Sequence, residues 1–170
     1  MKTLKLVFVV ILLVASFSCN KEGNVHITVD RYVKLLKANK YNNTHLPAFT
    51  LEDIDELLKY RNEKALISNY PRNNLSSIYQ HEVELGIFIL WTIEAIRLSS
   101  ITGLTGIFPS LVPAFIPRNA EYYDAEKQQE ARQVASNAYY NWWRLGGITG
   151  ASFGAWLNID PLGDTDFKWH

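Results

Sequence analysis

LGIFILWTIEAIR, residues 85–97, decides the fold of this 170-residue chain. Between Leu85 and Ile93 only Gly86 and Thr92 interrupt large apolar side chains. A helix that is apolar all round leaves no face for water and must be enclosed. The run is shorter than the roughly 17–25 apolar residues that cross a bilayer. It therefore reads as the central helix of a core on which every other element packs.

Working outward, Ser77 with Gln80 three residues on has the form of a capping box, which places the central helix over 77–99. Gly86 inside it costs up to ~1 kcal/mol relative to alanine, a cost that close approach of another helix offsets. Upstream, NYPRNN (69–74) is turn chemistry. Before it, Thr50 and Asp53 form a further capping box, with Phe49 placed to staple the entry on Ile54. Leu51, Ile54, Leu57 and Leu58 make one stripe of a helix that ends near Asn62. Thr28 caps a first helix through Val29, Tyr32, Val33, Leu35 and Leu36 to about Asn39.

Downstream, ITGLTGIFPSLVPAFIP (101–117) carries prolines at 109, 113 and 117 and no charged side chain. So apolar a connection is expected to pack over the core, with a short helical turn near 110–115. A last long helix opens at Asn119 or Asp124. Its stripe is Ala131, Val134, Ala135, Ala138, Trp142 and Leu145, and Gly146-Gly147 ends it through a left-handed cap. The tail to His170 reads as irregular or extended, pinned by Trp156, Phe167 and Trp169. About four helices without alternating strands argue an all-α single domain over 25–170. The helix from Thr50 and the central helix would form a HEAT-like α-hairpin.

The first 18 residues read as a leader outside that domain. Lys2 and Lys5 precede the apolar run LVFVVILLVA (6–15), and Ser16-Phe17-Ser18 leads to Cys19. A cysteine at that point marks a lipoprotein signal: diacylglycerol on the thiol, cleavage, then a further acyl chain such as palmitate on the freed amine. Two or three chains anchor stably where one does not. Residues 19–24 would be the lipidated Cys19 and a polar tether. Cys19 is the only cysteine, so in an oxidising compartment packing alone must hold the domain.

The whole chain has 17 basic and 17 acidic residues. Without Lys2 and Lys5 it has no basic surplus, which argues against nucleic acid as a partner. The load of 9 tyrosines, 8 phenylalanines and 5 tryptophans means either a large-residue core or a stacking surface. Tyr139, Tyr140, Trp143 and, from the tail, Trp156 are the candidate binding residues for sugar rings or a partner protein. Glu84 and Glu94 are the candidate acids of a glycan- or peptidoglycan-acting hydrolase. Ten residues of helix separate them by ~15 Å at roughly 1.5 Å per residue, too far for a two-carboxylate glycosidase. Glu94 and Arg97, three apart, form a structural pair or a ligand anchor. His26, His45, His81 and His170 are scattered, and neither a metal site nor a cofactor motif is expected. No catalytic residue can be assigned.

Several blocks together carry a resemblance: SFSC (16–19), TLEDIDELLKYRN (50–62), NYPRNNLSS (69–77), LGIFILWTIEAIR, FPSLVP (108–113), AYYNWW (138–143) and DFKWH (166–170). The sequence resembles a family of small lipoproteins of Bacteroidota-type gut bacteria whose domain has no assigned activity. The resemblance implies an outer-membrane lipoprotein and supplies no catalytic residue. Lys21-Glu22 resembles the short acidic tag of surface-exposed members, with the periplasmic face as the alternative. The expectation is a membrane-tethered, non-enzymatic binding module that meets an envelope protein or a glycan; the alternative is the hydrolase.

Overall fold

The computed structural model describes residues 27–78, 80–120, 126–148 and 153–170. The leader, Cys19 and the tether lie outside them. Helix α1, Val29–Lys37, begins where Thr28 accepts the N–H of Arg31 and buries Val29, Tyr32, Val33 and Leu36. It ends on Asn39, whose φ of 52° is left-handed and whose side chain accepts the N–H groups of Ser68 and Asn69. The Thr50 capping box is present: Thr50 Oγ1 accepts from Glu52 N, and Asp53 accepts from Thr50 N at 2.8 Å. It opens a short 3-10 turn, Leu51–Asp53, followed by α2, Ile54–Leu58. Phe49 meets Tyr32 edge-on at 5.4 Å.

The central helix α3 spans Leu85–Thr102, and every residue from Leu85 to Arg97 is buried. It starts eight residues later than Ser77 suggested. Ser76, not Ser77, makes the local turn, accepting from Ile78 N at 3.1 Å. The first amides of α3 are satisfied from far off in sequence: Leu85 N donates to Ala65 O and Gly86 N to Glu63 O, each at 2.8 Å. Two strands make that possible, β1 (Leu66–Ile67) and β2 (Val83–Glu84), paired antiparallel with Leu66 opposite Glu84. Gly86 does mark a close approach, but of a turn and not a helix. A Cβ there would lie 2.5 Å from the carbonyl oxygen of Arg61 and 3.0 Å from that of Glu63. Gly103, at φ 70°, closes α3.

Beyond α3 the chain departs further from an all-α plan. Residues 110–115 form no helical turn; Phe115–Pro117 is strand β3, paired antiparallel with β4, Phe167–Trp169. Proline at 113 and 117 holds the preceding residues extended, and Pro117 sits at the end of the strand, where it costs little of the ladder. Helix α4, Gln128–Ile148, runs straight through Gly146-Gly147. Gly146 is a contact glycine and not a cap: a Cβ would stand 1.9 Å from the Trp156 indole. The tail is likewise ordered, with α5 at Phe153–Leu157 before β4.

Among the described residues the fold is thus five helices and two small antiparallel two-stranded sheets, mixed and not all-α. A HEAT-like hairpin is excluded because α2, at five residues, is too short to be its other arm. The buried hydrophobic core is assembled from residues between Val29 and Phe167.

Candidate functional site: a polar groove beside an uncharged apolar face

The candidate acids occupy two separate ion pairs. Glu94 and Arg97, both buried, form a forked bridge at 2.9 and 2.6 Å. The same carboxylate accepts from Tyr139 Oη at 2.8 Å, and Tyr139 Oη accepts from Trp169 Nε1 at 2.9 Å. Arg97 completes its fork on the Leu157 carbonyl at 2.8 Å. Burial, the largest single influence, would lower the Arg97 guanidinium, but its hydrogen bonds to Glu94 and the charge of that carboxylate, with smaller contributions from Tyr139 and Asp160, together raise it. Burial, then the Glu94 charge, holds the Tyr139 phenol well above its ordinary range. Glu84 lies across the helix start with buried Arg132 Nε 2.6 Å from its Oε2, a charge contact without straight hydrogen-bond geometry. Both carboxylates are committed to arginines, and no group of three or more potential metal ligands gathers among the described residues.

The aromatic candidates divide. Tyr139 and Trp156 are buried, so neither presents a platform. Trp156 stacks on Trp142 at 4.5 Å and donates its indole N–H to the Trp142 carbonyl. The tail therefore covers this part of the cluster, through Trp156 and Trp169. Tyr140 and Trp143 reach the surface only in part. The Arg61 guanidinium lies 4.5 Å over the Tyr140 ring and that of Arg144 at 5.4 Å, while Trp143 Nε1 donates to Asp55. Their faces are largely spent on these neighbours.

The open concavity lies elsewhere. A groove of about 380 Å³ runs between the 70–80 segment and residues 111–113. Tyr70 fixes one wall: its ring packs on Phe88 at 5.2 Å and its hydroxyl donates to the Gln80 carbonyl at 2.9 Å. Ser110 fixes the other, accepting from Trp91 Nε1 at 2.8 Å and donating to Val112 O at 2.7 Å. Asn73 Nδ2 joins the walls by donating to Ser110 O at 3.1 Å. Phe108 stacks on Trp91 at 5.1 Å, so the apolar connection is seated on α3 itself.

Five of the eleven lining residues are asparagine, serine or glutamine, and Arg72 is the single charged one. Arg72 lies over the Tyr70 ring and donates to Ser68 O. The Gln80 side-chain oxygen is buried without a hydrogen-bond partner, a cost the fold carries for a polar group held away from water. Ile78 and Leu111 form an apolar lip, 43% and 42% exposed, and Leu75 beside them is 88% exposed. Such a site can hold a polar group by amide and hydroxyl contacts while apolar side chains stand outside it; it holds no paired acid and base.

Sequence reasoning missed this groove because it took NYPRNN as a turn and 101–117 as core cover. The available signal was the lack of charge in both 73–80 and 98–117. Comparison with curated proteins and with solved structures finds no match. Residues 24–170 match the family described as Domain of unknown function (DUF4943), and the chain belongs to that family.

Proposed function

We propose that this protein is an envelope lipoprotein, cleaved before Cys19 and held in the outer membrane by acyl chains on that residue, whose domain binds and does not catalyse. The leader sequence, with two lysines, a ten-residue apolar run and Ser-Phe-Ser before the lone cysteine, supports the anchor. The binding reading rests on one observation: a groove of about 380 Å³ with amide and hydroxyl groups in its lining, hung on the central helix through the Tyr70–Phe88 and Ser110–Trp91 contacts. The commitment of Glu84 and Glu94 to arginines gives a hydrolase no support.

Two measurements test the two halves. Intact mass of the membrane-extracted protein should show a chain starting at Cys19 plus acyl mass, and Cys19→Ser should move it to the soluble fraction. An unacylated chain contradicts the anchor. For the groove, Asn74→Trp fills the space without touching the core. Envelope material recovered by the wild-type domain should be lost with Asn74→Trp and kept with Trp143→Ala. Equal recovery by wild type and Asn74→Trp contradicts the groove.

A further inference from the structure

We infer that the occupant of this face is the phospholipid surface itself: the domain lies on the bilayer with its groove over the headgroups and its leucines among them. The inference rests on the reading of the groove as the recognition surface. Eight large apolar side chains stand in solvent among the described residues, and five of them (Leu75, Ile78, Ile101, Leu104 and Leu111) fall on the stretches 73–80 and 98–117. Neither stretch carries a charge, and Asn73 and Ser110 tie them together. An apolar side chain gains from entering a bilayer interface, whereas a charged one resists leaving water. Leu104, 63% exposed, follows the left-handed Gly103 at the end of α3, on a connection with no partner charge to solvate it.

The groove's groups suit a zwitterionic headgroup. One guanidinium, Arg72, complements a phosphodiester, and the amide and serine groups of the lining can donate to its oxygens or accept from an ammonium or hydroxyl. Chain length also favours this occupant. Seven residues separate Cys19 from Ile27, so the start of the described domain can lie at most about 28 Å from the lipidated residue. Ile27 itself packs against the core. A domain on so short a leash stays beside the bilayer, which keeps lipid within reach of an uncharged leucine-bearing face.

The test uses the chain from Cys19 onward, whose described core is intact, with the thiol capped by N-ethylmaleimide in place of lipid. It is floated with vesicles of phosphatidylethanolamine and phosphatidylglycerol, beside Leu75→Ser/Leu104→Ser and Ile159→Ser. All three residues are exposed, so equal melting temperatures will show that the fold is kept. Wild type and Ile159→Ser should float alike, and the double variant should associate at least tenfold less. The inference is overturned if wild type floats no better than the double variant, including the case in which the face instead pairs two copies or captures an envelope protein. Because the capped chain carries no acyl group, this outcome is independent of Cys19 acylation. Because Asn74→Trp fills the groove without removing the leucines, it separates failure of the lipid assignment from failure of the groove.

Discussion

Removing either partner of the Glu94–Arg97 bridge should destabilise the domain far more than removing both. Glu94→Leu leaves the Arg97 cation buried with only the Leu157 carbonyl to satisfy it; Arg97→Met leaves the Glu94 carboxylate with only the Tyr139 hydroxyl. An uncompensated buried charge of this kind costs about 3–5 kcal/mol. For a domain of this size that lowers the melting temperature by roughly 6–20 °C. The double variant removes both charges and leaves the Tyr139 O–H and the Leu157 carbonyl without their partners, a residual of about 1–3 kcal/mol. Adding Tyr139→Phe should recover the phenol's share of that, since Trp169 is only partly buried and can turn its N–H to water. The assay is urea unfolding of the four variants by tryptophan fluorescence, read as a double-mutant cycle. Either single variant within about 1 kcal/mol of wild type, or a double variant as unstable as the two singles added, would refute the reasoning.

Other outcomes follow from single contacts. Gly86→Ala should lose about 1–3 kcal/mol despite alanine's better helix propensity, because its Cβ meets the backbone carbonyls of Arg61 and Glu63; a chemical melt reads it. Gly146→Ala drives a methyl into the Trp156 indole, so the near-ultraviolet circular dichroism of the Trp142–Trp156 stack should collapse while the helical signal persists. The phenols of Tyr32, Tyr41 and Tyr139 are all raised by burial, Tyr41 to about 12. Each holds its proton more tightly folded than unfolded, so their stabilising contribution is full below pH ~10 and is lost as pH rises through the folded values. Melting temperature should therefore fall steeply above about pH 10, in step with tyrosinate absorbance at the unfolding transition.

What was legible in the sequence was what local chemistry fixes. Thr28 and the Thr50–Asp53 box opened their helices where their hydroxyl and carboxylate groups indicated, and the all-apolar run from Leu85 became the enclosed helix. What was illegible is non-local. No alternation can show in β1 and β2, which are two residues each, yet these strands set the start of α3 through carbonyls some twenty positions upstream. Gly146 had the sequence form of a cap, but an indole ten residues on decides its role. The groove joins segments 37 residues apart, so no single stretch announces it. Tyr139 and Trp156 looked like surface candidates for the same reason: their cover comes from elements distant in the chain.

The groove walls are hung from α3 through Phe88 and Trp91, so the enclosure of that helix decides whether the groove exists as described. Hydrogen–deuterium exchange read peptide by peptide measures that directly. Amides from Leu85 to Arg97 should exchange only with global unfolding, while those of 73–78 and 103–107 exchange orders of magnitude faster. Exchange across 85–97 as fast as in those loops would contradict it.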